Sequence, residues 1–216
     1  MHVVPGLVGL VAGLVASPIL DRIATNAPLK LPLLASTPRS SRLVFVAVAA
    51  AGLGAACGLD FGFTLELAIG AVFCWMLVVI TRTDLEHRLI PNRIVVPAGV
   101  ILLVARTIDD PSVVWLLCGL GAGLFLFVFA VVYPSGIGMG DVKLAAAMGV
   151  ALGTSVAVAL FLGFVAAFVP ALVLLLRRGR SALKQGIPLG PFLAFGGVVA
   201  LFAGAAILDW YGSAGH

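Results

Sequence analysis

The sequence predicts an all-α, polytopic integral membrane protein of about eight transmembrane helices, one of them short. Three observations carry this. Of 216 residues, 62% are hydrophobic and 10% charged, whereas an ordinary soluble domain is about 45–50% apolar and about 25% charged. Mean hydropathy is +1.22. The apolar residues also gather into runs close to the roughly 17–25 residues that cross a bilayer as a helix. So little polar surface cannot coat a soluble globule, which excludes a cytosolic enzyme, a secreted disulfide scaffold and a disordered tail. The 26 glycines favour helices packed closely in lipid.

The expected spans are Val3–Leu20, Leu43–Gly58, Thr64–Ile80, Ile90–Arg106, Val113–Tyr133, Val156–Leu176 and Phe192–Leu208, with a short piece at Val142–Leu152. The first resembles a secretory signal in hydropathy. It lacks a basic flank, and Pro18 follows the small pair Ala16–Ser17, so it reads as a retained helix. Cys57, Cys74 and Cys118 lie in apolar runs without metal or redox spacing and read as packing residues.

Charge sets the expected topology. The basic residues cluster in 21–42, 81–93 and 177–190, with Lys143 between. Placing 21–42 in the cytoplasm puts 12 of the 13 basic residues inside and leaves Arg106 outside. This requires Val142–Ser155 to cross or nearly cross, so Gly153–Ser155 is expected as a turn between a short helix and a long one, with both termini outside. The net charge of +4 is then explained by cytoplasmic loops rather than by nucleic acid. No internal repeat or domain boundary stands out. The chain reads as a single membrane domain, 1–216, with a reduced N-terminal region, 1–64, and a core at 65–210. No ionisable residue falls in the middle of an expected span, which argues against an ion-coupled carrier or channel.

Two polar segments interrupt the pattern, Thr81–Asn92 and Pro134–Lys143. Two spans separate them, so Asp84 and Asp141 return to the same side, at helix ends where they can meet. Two close carboxyls do not ionise together; one keeps a proton while the other acts as base. Such a pair activates water and protonates a leaving amide nitrogen without metal or nucleophile. The glycines Gly138 and Gly140 let backbone approach backbone, as an extended substrate requires. Asp141 also stands where it can cap the helix that follows.

Asp84 with Ile90-Pro91-Asn92, then Gly138-Met139-Gly140-Asp141-Val142-Lys143-Leu144, then Ile187-Pro188-Leu189-Gly190-Pro191-Phe192-Leu193, resemble the type IV prepilin peptidases, polytopic aspartic proteases of the G-x-G-D class. The resemblance covers about residues 65–210. It implies that Asp84 and Asp141 are catalytic, and that Gly138, Gly140, Lys143, Pro91, Asn92, Pro188, Gly190 and Pro191 support the site or bind substrate. It further implies removal of short basic leaders from prepilins or pseudopilins at the cytoplasmic face of a bacterial inner membrane. The expected partners are that substrate and the bilayer, with no nucleic acid, no cofactor and no metal.

Simpler readings stand beside these. Glu86 competes with Asp84 as the first carboxylate but lacks the family match. His87 reads as a solvated loop histidine, and Lys143 either holds Asp141 ionised or reaches lipid headgroups. Pro91 reads as a helix starter. Pro170-Ala171-Leu172 is similar to the P-A-L motif of the presenilin and signal-peptide-peptidase families, but Thr83 precedes Asp84 where those families have tyrosine. Pro170 also falls inside a span, so it reads as a helix residue. The rival functions are another G-x-G-D protease, a transporter, and a non-catalytic assembly protein of a pilus or secretion machine.

Many prepilin peptidases also methylate the new pilin N-terminus with S-adenosylmethionine. Those members carry a larger insertion after the first helix, often with two C-x-x-C pairs holding zinc. Loop 21–42 here has no cysteine, histidine or glycine, so a peptidase without methyl transfer is expected.

Overall fold

A computed structural model describes residues 2–26, 40–133, 136–178 and 188–214. The described chain is all-α: α1 (Val3–Asn26), α2 (Ser40–Phe61), α3 (Leu65–His87), α4 (Asn92–Asp109), α5 (Val114–Val132), α6 (Met139–Leu152), α7 (Val156–Arg178) and α8 (Gly190–Ala214). Most of loop 21–42, Pro134 and Ser135, and most of loop 177–190 lie outside the described residues.

Six described stretches are long and apolar enough to cross a membrane: Val3–Asn26, Leu43–Phe61, Leu65–His87, Val114–Val132, Met139–Arg177 and Gly190–Ser213. The protein is a polytopic all-α membrane protein. The fifth stretch, 39 residues long, is two helices. The chain breaks at a 3-10 turn, Gly153–Ser155, at the expected place. Gly153 opens the break with φ of 58°, a conformation that glycine adopts without strain. Helix α4 is absent from the six; its 18 residues include Arg93, Arg106 and Asp109.

Helices pair as neighbours in sequence, α1 with α2, α5 with α6 and α7 with α8. Small residues allow the close approach: there is no room for a Cβ on Gly9 against Gly54, or on Gly149 against Cys118 and Gly119. Helix α3 is the hub, touching α1, α2, α4, α6 and α8. Helix α6 lies between α4 and α5 and has ten of its 14 residues buried. The two innermost helices are thus the two that carry Asp84 and Asp141.

A 14-residue helix is about 21 Å long, short of the roughly 30 Å hydrocarbon core. Its last carbonyls need partners. Arg106, the last residue of the expected span Ile90–Arg106, supplies one. It is 5% exposed, and its Nε and Nη2 donate to the Ala151 carbonyl at 2.9 and 2.7 Å. Glu66 balances its charge through Nη1, and the guanidinium lies 4.6 Å over the Trp115 ring.

Candidate active site

The three motifs converge at one end of the bundle. Asp84 lies in the last turn of α3, which ends at Arg88 in the left-handed conformation, φ 50°. The Arg88 N–H closes the turn on the Asp84 carbonyl at 2.9 Å. Asp84 is 5% exposed, and its Oδ2 accepts the N–H of Gly190 at 2.9 Å. Gly190 is the first residue of α8, so this N–H has no partner within its own helix. A carboxylate 106 residues away does the capping. Pro191 follows it in the first turn of α8, where a missing N–H costs nothing.

Asp141 sits one turn inside α6, 9% exposed. The expected N-cap role passes to Gly138; Asp141 is the third helical residue, and its Oδ2 accepts the Gly138 N–H at 2.9 Å. This is half of a capping box, because Gly138 has no side chain to return the bond. Each of the two buried carboxyls is thus held by one backbone N–H.

The residues expected to support the site make contacts of their own. Lys143 donates to Asn92 Oδ1 at 2.9 Å, joining α6 to the start of α4. Lys143 is thus tied to Asn92, whose part is to hold α6 rather than only its own helix end. Pro91 is the N-cap of α4, and its carbonyl accepts the N–H groups of Ile94 and Val95. Gly140 faces Ile90 so closely that a Cβ there would fall 2.8 Å from Ile90 Cβ. Its lack of a side chain thus serves the joint between the first two motifs as well as any substrate. Pro188 is half-buried, just ahead of α8, and the Leu189 carbonyl receives the N–H groups of Phe192 and Leu193. Pro170 remains inside α7.

The competing groups turn elsewhere. Glu86 is exposed and meets Arg82 Nε at 3.4 Å and His87 at 3.8 Å. Arg82 itself, expected only as a loop charge, is 4% exposed and ion-paired with Asp21 of α1, which is 1% exposed. Its fork also reaches the Asp21 carbonyl at 3.1 Å and Thr25 Oγ1 at 2.9 Å. This network was missed in the sequence. Its only signal there is that Asp21 is the single acid in loop 21–42. No group of three or more His, Cys, Asp or Glu side chains able to hold a metal exists among the described residues.

Residues 71–176 match the model of the type IV leader peptidase family. The chain is 38% identical over 164 residues to a prepilin leader peptidase/N-methyltransferase of Bacillus subtilis, an alignment covering 74% of this chain and 65% of that protein. It is 32% identical over 184 residues to one of Legionella pneumophila, covering 81% and 63%. A Pseudomonas aeruginosa protein of the same name is 30% identical over 180 residues, covering 79% and 61%. The chain thus spans somewhat under two thirds of the length of these relatives. No solved structure matches it. With the three motifs gathered around one pair of buried carboxyls, and with these likenesses, the chain belongs to the type IV leader peptidase, or prepilin peptidase, family.

Proposed function

We propose that this protein is a membrane aspartic endopeptidase that cleaves the basic leader from prepilins or pseudopilins, with water activated between Asp84 and Asp141. The observation that carries the reading is that two buried carboxyls stand at the end of α3 and the start of α6, helices packed against each other, each with one oxygen accepting a backbone N–H. One carboxylate takes a proton from water as its oxygen attacks the scissile carbonyl carbon. The other, protonated, hydrogen-bonds the carbonyl oxygen as it gains charge. When the C–N bond breaks, a proton passes to the leaving nitrogen, giving a free amine and a carboxyl terminus. The names borne by the relatives supply the substrate class. The basic-residue count supports a cytoplasmic-facing site in the bacterial inner membrane, and the continuous packing of α3 to α8 supports a peptidase core at 65–210 within one membrane domain.

The test is production of this protein with a prepilin in a cell that has no other such peptidase, followed by mass spectrometry of the pilin. Leader removal with an unmodified N-terminal amine is expected, because the short loop 21–42 has nothing to hold zinc or a nucleotide. An intact leader would overturn the peptidase reading. A methyl group added only in the presence of this protein would overturn the absence of methyl transfer.

Gly190 gives a sharper structural test. A Cβ there would lie 2.8 Å from Asp84 Oδ2 and 3.1 Å from its Cγ. Gly190→Ala must displace either the carboxyl or the start of α8. Misplacement of a catalytic group by about 1 Å costs on the order of 100-fold, so kcat/KM should fall by about that much while the protein stays folded and in the membrane. Cleavage within twofold of the parent would show that the Gly190–Asp84 contact does not set the site.

A further inference from the structure

Helices α2 and α8 each pack along α3 rather than along each other. Far from the carboxyl pair they touch, where the rings of Phe61 and Phe202 stack with centroids 6.1 Å apart. Nearer the pair a cleft of about 230 Å³ opens between them, floored by α3 and walled by Phe45 and Leu53 on one side and Phe195 and Val198 on the other. Its upper end is Thr81 and Pro191. Thr81 stands one helical turn before Asp84, and Pro191 follows the residue whose N–H holds Asp84. The cleft therefore begins about one helical turn from Asp84 and descends along α8 from Pro191 to Val198, about 10 Å at the helical rise.

We propose that this cleft binds the substrate next to its scissile bond through an apolar stretch, an inference that rests on the endopeptidase reading. Among the described residues Thr81 is the only polar side chain lining it, a surface suited to an apolar segment rather than to a basic leader. Phe45 and Phe195 are 51% and 56% exposed. These are two broad apolar faces standing at the mouth, available to a segment entering from the membrane. A larger apolar cleft of about 600 Å³ lies between α5 and α7, lined by Phe125, Phe161 and Phe168. No residue of α3, α6 or α8 lines it, so it has no continuity with the carboxyl pair, and size alone does not recommend it.

Cysteine crosslinking tests the assignment. In an Asp84→Asn background lacking Cys57, Cys74 and Cys118, the changes Phe195→Cys, Val198→Cys and Phe161→Cys are introduced singly. Each protein is paired with a prepilin that carries one cysteine at successive positions after its scissile bond. Phe195→Cys should crosslink to early positions, Val198→Cys to positions about one helical turn deeper, and Phe161→Cys to none. In the otherwise unaltered active protein, Phe195→Ala should lower kcat/KM for the same prepilin about tenfold through KM, with kcat held. Crosslinking at Phe161→Cys in place of the α2–α8 cleft would overturn the inference. So would failure of both cleft cysteines together with an unmoved KM. An uncleaved prepilin with the unaltered protein would instead overturn the endopeptidase reading, and this inference with it.

Discussion

Replacing Asp84 or Asp141 by asparagine is expected to abolish leader cleavage in membranes. Asparagine keeps the shape of each side chain, and its carbonyl oxygen can still accept the N–H of Gly190 or Gly138. What it removes is the ability to exchange a proton. General acid and base catalysis contribute about 10²–10⁴-fold each, and here one dyad performs both, so a loss beyond about 10³-fold is expected from either single change. In the proposed mechanism the two carboxyls act as a unit. The double variant should therefore be no worse than either single one. Glu86→Gln is the internal comparison, since Glu86 faces Arg82 and His87, and it should retain cleavage. Measurement of leader removal with matched protein levels in membranes decides. Full activity in either asparagine variant, or loss confined to Glu86→Gln, would move the chemistry elsewhere.

Local features of the fold were legible because lipid imposes a simple rule: each span must be long, apolar and helical. The turn at Gly153–Ser155 was legible for another reason. Without it the basic run beginning at Arg177 would break the expected pattern of basic residues on one side. Asp84 and Asp141 were singled out in the sequence because two spans between them are expected to return the chain to one surface. Contacts between helices distant in sequence were not. Nothing near Gly190 says that its N–H will reach a carboxylate on α3. Gly140 reads as room for substrate until Ile90 is seen against it. Arg106 reads only as the end of a span because the sequence alone does not show that α6 ends short and needs donors for its carbonyls. Each of these depends on which helices pack together, and apolar runs that share one composition do not encode their neighbours.

The pairing of Arg82 with Asp21 is the clearest such case, and its loss should be the largest stability effect of a single substitution outside the dyad. Both side chains are buried, 5% and 1% exposed. The guanidinium also holds the last turn of α1 through the Asp21 carbonyl and Thr25. Removing one partner of a buried ion pair costs about 3–5 kcal/mol, because the other charge stays behind in low dielectric. For a chain of this size that is on the order of 10 °C in melting temperature. Arg82→Met should therefore melt early in detergent. Arg82→Lys should recover only part of the loss, since an ammonium cannot fork to three acceptors in the fixed geometry of a guanidinium. The informative variant is the double change Asp21→Leu with Arg82→Met. If the penalty of the single variant comes from the charge left on Asp21, deleting both charges restores most of the melting temperature, as apolar replacement of buried pairs often does. Cleavage then separates the two roles of the network. Arg82 lies two residues before Asp84, and α1 is what fastens that turn. A double variant that melts normally but cleaves slowly assigns Arg82 to positioning Asp84; one that melts and cleaves normally makes the pair a stability element alone. A single Arg82→Met variant melting within a degree or two of the parent would show that the buried pair holds nothing together.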